Sequence, residues 1–259
     1  MTVDVLLPTS ADEAASLYGS GEDITVFAGG TILLPEIAAG RLSPKRALML
    51  HRSGLDQIQL SAEHVVIGAM VSVSTLVTAA PDEILATFAS HVADSEVRRN
   101  ATVGGNICAP AGRDAQRGDL GAPLIALGAR VRSTGSGGER TEPVEDFLAG
   151  DRSGRLVLGV EYDRFARKSG TSGLRRRNAH SYAIVNVAAC AREDGTDLRI
   201  GVSGVGPTAV RSRAVEQDRD PASVLSDVVA LDDAVASAEY RRRVLPILVR
   251  EALDKLEIS

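Results

Sequence analysis

The chain has 259 residues, a formal net charge of −5 and a composition that is 44% hydrophobic without a single tryptophan. That length can bury one large core or two modest ones. With a pI near 5.5 there is no overall basic footprint for nucleic acid, and no apolar run approaches the ~20 residues needed to cross a bilayer, so neither nucleic-acid binding nor membrane insertion is expected. The first residues, MTVDVLLPTSADEAASLYG, place Asp4 early and no basic leader before a short apolar run; this does not read as a signal peptide, and the cytoplasm is the expected compartment. Cys108 and Cys190 lie far apart without a CxxC partner, and His51, His64, His91 and His180 show no metal-ligand spacing. No metal centre is expected on this chain, and no iron–sulfur cluster can be built from it.

In chain order, ITVF at Ile24 to Phe27 reads as a buried strand, followed by Gly29-Gly30 and a helix from Ile32 to Ala39 that Gly40 stops. Thr31 stands at the expected N-cap. Leu48 to Ile58 and Val65 to Ala69 read as strand-rich, and VSVSTLVTAAPDEILATFASHVAD as one or two helices with Asp82 near a start. Strands near Ala129 to Ser133 and Leu156 to Tyr162 bracket a glycine-rich turn, Gly135 to Gly138. The basic, glycine-containing stretch Arg164 to Arg177 reads as a connector at a domain boundary. Beyond it, SYAIVNVAACARE, the Asp194-Gly195 turn and DLRIGVSGVG predict an antiparallel hairpin. DDAVASAEYRRRVLPILVREALDKLE predicts an amphipathic helical pair broken at Pro246.

Two Gly-Gly elements stand out, Ala28-Gly29-Gly30-Thr31 and Thr102-Val103-Gly104-Gly105-Asn106. Each is flanked by a hydroxyl or amide side chain. Ordinary tight turns would explain them; so would a pair of loops whose backbone lies against the phosphates of a dinucleotide. The usual fingerprints are missing: there is no GxxxxGK[ST], and Gly201 to Gly206, the nearest match to GxGxxG, has its glycines in the wrong order and opens no helix.

The elements resemble a known family. FAGGTILLP is similar to the first flavin-binding loop of the FAD subunit of molybdenum hydroxylases, the xanthine dehydrogenase and carbon monoxide dehydrogenase family, and VRRNATVGGNI resembles the second. IGAMVSVSTL, APLIALGARV, LRRRNAHSYAIVNVAA and ASAEYRRRVLPILVREAL resemble further family segments in the same order, so the likeness spans nearly the whole chain. It implies an α+β fold: a PCMH-type FAD-binding domain over 1–170, in subdomains of approximately 1–55 and 56–170, then a C-terminal domain over 171–259 with a three-stranded antiparallel sheet and helices. It also implies that Ala28, Gly29, Gly30 and Thr31, with Thr102, Gly104, Gly105 and Asn106, hold the FAD pyrophosphate, and that Ile32 lies among the cofactor-binding residues with one side-chain contact to the cofactor missing. By the same likeness Asp119 contacts FAD beyond its phosphates, with Asp114 as the rival because the loop between Cys108 and Asp119 is longer than the family pattern. Tyr182 and Arg177 would lie near the isoalloxazine.

Ile32 departs from the family, which has a polar residue there. The implied role is electron transfer: this chain takes electrons from two 2Fe–2S clusters of a small partner subunit, after hydroxylation at a molybdenum cofactor in a large partner, and passes them to an external acceptor. The implied assembly is a dimer of heterotrimers. A stand-alone flavoprotein oxidoreductase and a flavin-free scaffold subunit are the alternatives.

Overall fold

The computed structural model describes residues 3–109, 119–175 and 183–256. Three sheets succeed one another along the chain. β1 (Asp4–Leu6), α1 (Ala11–Tyr18), β2 (Ile24–Phe27), α2 (Leu33–Ala38) and β3 (Arg46–Met49) build the first, a parallel sheet in the order β1-β3-β2. α2 is the crossover that the parallel pair β2 and β3 requires, and α1 carries the chain from one edge strand, β1, to the other, β2. β2 has the predicted limits, but α2 starts later than expected: Ile32, not Thr31, is its N-cap, and no side chain caps it. The strand expected across Leu48–Ile58 is interrupted by a 3-10 turn at Leu50–Arg52 and by Gly54, whose φ of +72° no strand accommodates.

The second sheet is antiparallel, ordered β4-β5-β8-β6-β7. Between β4 (Ile58–Leu60), β5 (His64–Gly68) and the later strands the chain inserts five short helices: α3 (Val73–Ala79), α4 (Glu83–Ser90), α5 (Ser95–Asn100), α6 (Val103–Ile107) and α7 (Gly121–Ala126). The first four begin where a short polar side chain accepts a backbone N–H of the opening turn: Ser72 from Thr75, Asp82 from Ile84, Asp94 from Val97 and Thr102 from Gly105. The Gly104-Gly105 pair is therefore inside a helix. β6 (Arg130–Gly135), β7 (Arg140–Pro143), α8 (Val144–Ala149) and β8 (Arg155–Asp163) complete this region.

The third sheet contains β9 (Arg167–Arg175), β10 (Ala183–Arg192), β11 (Arg199–Ser203) and β12 (Val210–Arg211), antiparallel in the order β12-β11-β10-β9. The resemblance implied three strands; the fourth is a two-residue edge. The stretch read as a connector is largely β9, paired along β10. Its glycines misled because they serve close approach: a Cβ at Gly170 would stand 1.9 Å from the Ala252 carbonyl oxygen. α9 (Arg213–Asp218) and α10 (Ala238–Asp254) follow. α10 is one helix through Pro246 rather than two. A proline removes one backbone bond and strains the preceding turn, but buried Leu245, Leu248 and Val249 hold the helix against the sheet on both sides of it.

β10 is buried on both faces. Val185, Val187, Ala189 and Ala191 enter the core beneath α10, whereas Ala188 and Cys190 enter the larger core that contains α7. α7 is pressed onto β11, where a Cβ at Gly201 would lie 2.1 Å from the Ala122 carbonyl oxygen. This contact fixes the start of α7, and hence Asp119, against the third sheet. No described helix is long and apolar enough to cross a membrane.

Candidate functional site

The two Gly-Gly elements, far apart in sequence, meet. A Cβ at Gly29 would stand 1.8 Å from the carbonyl oxygen of Asn100 and 3.2 Å from Cα of Ala101. Only glycine permits that contact. Gly30 has φ of +71°, which turns the chain from β2 into α2. Between the elements lies a cavity of ≈ 340 Å³. Ala28, Gly29, Gly30, Thr31 and Ile32 form one wall; Thr102, Gly105 and Asn106 form the other; Asp119 closes one end, and Val26, Val92, Ala93 and Val97 supply an apolar side.

The backbone hydrogen bonds separate the two walls. In α6 the Val103 N–H donates to Val71 O at 3.0 Å, Gly104 N–H to Ala69 O at 2.8 Å, Gly105 N–H to Thr102 Oγ1 at 3.2 Å and Asn106 N–H to Thr102 O at 2.9 Å. Those donors are engaged within the protein. Gly104 does not line the cavity; a Cβ there would press to 2.8 Å from Ala69 Cβ. In the first element, by contrast, Leu34 N–H bonds to Gly30 O at 2.9 Å, while the N–H groups of Gly29, Gly30, Thr31 and Ile32 have no partner among the described residues. Free, closely spaced donors beside glycine are what a diphosphate requires.

Asn106 and Asp119 are buried. Asn106 Oδ1 accepts the Leu120 N–H at 3.0 Å, and Asp119 Oδ1 accepts from Asn186 Nδ2 at 3.1 Å. The second element thus places the head of α7, and with it the carboxylate at the end of the cavity. Cys108, on the cavity wall, is open to the cleft yet crowded by protein, and that crowding pushes its thiol up to about 11 against a weaker opposing pull from the Arg152 guanidinium. It is a neutral thiol at ordinary pH. Among the described lining residues Asp119 is the one charged side chain. Arg177, Tyr182 and Asp114 lie outside the described residues.

Sequence reading did not single out Asn186, Cys108 or the apolar side of the cleft. Asn186 carried a legible signal, being an amide within the apolar run AIVNVAACA; the residues around Val92 carried none, since apolar positions on short helices read only as core.

Known proteins resemble the chain over its length. It is 27% identical to the carbon monoxide dehydrogenase medium chain of Hydrogenophaga pseudoflava, over 95% of this chain and 94% of that protein. It is also 27% identical to the nicotine 6-hydroxylase medium subunit of Paenarthrobacter nicotinovorans, again over 95% and 94%. The solved structure of carbon monoxide dehydrogenase from Hydrogenophaga pseudoflava, in a form lacking the Mo-pyranopterin moiety, superposes with a TM-score of 0.85 at 25% identity, covering 99% of this chain and 97% of that one. Residues 1–161 match the model of the FAD binding domain in molybdopterin dehydrogenase. With a cleft whose free backbone donors fit a dinucleotide, the chain belongs to this family of FAD-binding domains, as an FAD-dependent oxidoreductase subunit of the molybdenum hydroxylase type.

Proposed function

We propose that the chain holds FAD between its two Gly-Gly elements and serves as the electron exit of a three-subunit molybdenum hydroxylase in the cytoplasm. The FAD-binding domain would span 1–170 and the C-terminal domain 171–259. The observation that carries this reading is the run of four N–H groups from Gly29 to Ile32 that have no partner among the described residues, in a turn lining a cavity walled on the other side by α6. FAD held there would supply the redox chemistry, placed between the 2Fe–2S clusters of a small partner subunit and an external acceptor, with the molybdenum cofactor and its substrate on a large partner subunit.

The chain's own task is to bind and orient. Gly29, Gly30, Thr31 and Ile32 would donate to the diphosphate, and Ala28 would shape the entry to their turn. Thr102 caps α6 and keeps the Gly105 N–H engaged, so that Gly105 offers a surface without a side chain rather than a donor. Gly104 seats α6 on Ala69. Asn106 holds the backbone at Leu120 and so aims Asp119 at the part of the cofactor beyond the phosphates. Arg177 and Tyr182 would contact the isoalloxazine. The relatives named as medium chain and medium subunit support a large and a small partner subunit; the assembly would be a dimer of heterotrimers.

Visible absorption of the purified chain, followed by denaturation and chromatography of the released flavin, tests the proposal. Near-equimolar FAD is expected. Flavin absent after incubation with excess FAD and both partner subunits would leave a scaffold; turnover of a substrate by the chain alone would make it a stand-alone enzyme.

A further inference from the structure

Asn186 is 1% exposed, in a strand otherwise apolar from Ala183 to Ala191. An amide buried there is costly unless bonded. It sits on the face of β10 directed to the α7 side of the molecule, in register with Gly173 of β9. A Cβ at Gly173 would lie 2.6 Å from Asn186 Oδ1, so the glycine makes room for the amide to lie across the neighbouring strand. Its Nδ2 then reaches Asp119 Oδ1 at 3.1 Å. A carboxylate accepts only, which fixes the NH₂ edge of the amide toward Asp119.

We infer that Asn186 is a positioning residue, holding the Asp119 carboxylate in the orientation that meets the cofactor and tying the C-terminal sheet to the wall of the cleft. The inference rests on the proposed FAD site. Among the described residues, two anchors then act on one short segment: Asn106 on the backbone at Leu120 and Asn186 on the side chain of Asp119. A carboxylate with a free torsion would sample other rotamers before cofactor binding; one held by a buried amide does not, and preorganisation of this kind appears as affinity.

A double-variant cycle on FAD dissociation tests this in the full-length chain. Asn186→Leu keeps the branching at Cγ and removes the donor; its FAD dissociation constant should rise roughly tenfold, while the thermal midpoint of the flavin-free protein reports any general loss of fold. Asp119→Ala should weaken FAD at least as much. The expected result is non-additivity: in the Asp119→Ala background, Asn186→Leu should change affinity by less than about twofold, because the group it orients is gone. Gly173→Ala, which displaces the amide from the other side, should give the same dependence on Asp119 and serves if Asn186→Leu does not fold. Independent, multiplying losses in both series would overturn the positioning role while leaving the FAD site intact. Wild-type chain that takes up no FAD would instead overturn the site and this role together.

Discussion

The two Gly-Gly elements look interchangeable as strings, and they do opposite work. At Gly29-Gly30 the chain is in a turn that lines the cleft, its N–H groups have no partner among the described residues, and the absence of a side chain lets Gly29 lie against Asn100. At Gly104-Gly105 the chain is helical, its N–H groups are engaged, and the absence of a side chain at Gly104 lets α6 lie against Ala69. Hydrogen-bond accounting separates a ligand-facing glycine from a packing glycine where sequence cannot.

The largest expected effect comes from breaking the contact between the elements. Gly29→Ala would drive a methyl into the Asn100 carbonyl, a backbone group without a rotamer to yield. The walls of the cleft must separate, and FAD affinity should fall roughly a hundredfold or more, about 3 kcal/mol. Fluorescence titration of the flavin-free variant measures it; affinity within a few-fold of wild type would show that the walls need not touch. Gly104→Ala sharpens the contrast. Its methyl would lie 2.8 Å from Ala69 Cβ, an overpacking that costs about 1–3 kcal/mol of stability. Thermal unfolding should register the loss, while folded variant at low temperature binds FAD within about threefold of wild type. A hundredfold loss of affinity there would return α6 to the role of phosphate cradle.

The course of the chain into the first element could be read from residues 24–31, because a strand, a positive-φ glycine and a following helix each leave local marks. α6 could not be read, because two glycines within five residues argue against a helix; Thr102 caps it and burial of Val103 and Ile107 outweighs the propensity. β9 was hidden for a related reason, since Gly170 and Gly173 serve contacts with α10 and Asn186 that only the folded chain reveals. The meeting of Gly29 with Asn100 is equally non-local. What local pattern supplied was the pair of elements; what joined them was tertiary packing.

A smaller effect probes the end of the second wall. Cys108 has its thiol pushed up to about 11 by burial, so the unfolded chain loses that proton first as pH rises. The group therefore stabilises the fold fully below its ordinary value near 9 and loses that contribution as pH climbs through about 11. Iodoacetamide labelling of Cys108, followed by peptide mass spectrometry, should accelerate about tenfold per pH unit from 8 toward 11 and slow when FAD fills the cleft. A rate that levels off near pH 8 would mean that crowding does not govern the thiol.

The smallest effect isolates the ligand-facing wall from the fold. Ile32 is the N-cap of α2 and offers it no side-chain bond, so Ile32→Ser would ordinarily be expected to stabilise the helix by about 1 kcal/mol. Here the usual gain has no recipient. The residue three positions on is Pro35, which has no N–H, and the Leu34 N–H is already bonded to Gly30 O at 2.9 Å. Thermal stability of the flavin-free protein should therefore change by less than about 0.5 kcal/mol. A serine hydroxyl at that position has only the cleft to serve, and a two- to fivefold tighter FAD dissociation constant, roughly 0.4–1 kcal/mol, is expected from a new hydrogen bond to the diphosphate. Stability that rises while affinity stays fixed would place the side chain at position 32 toward the helix, and would confine the work of this wall to its backbone.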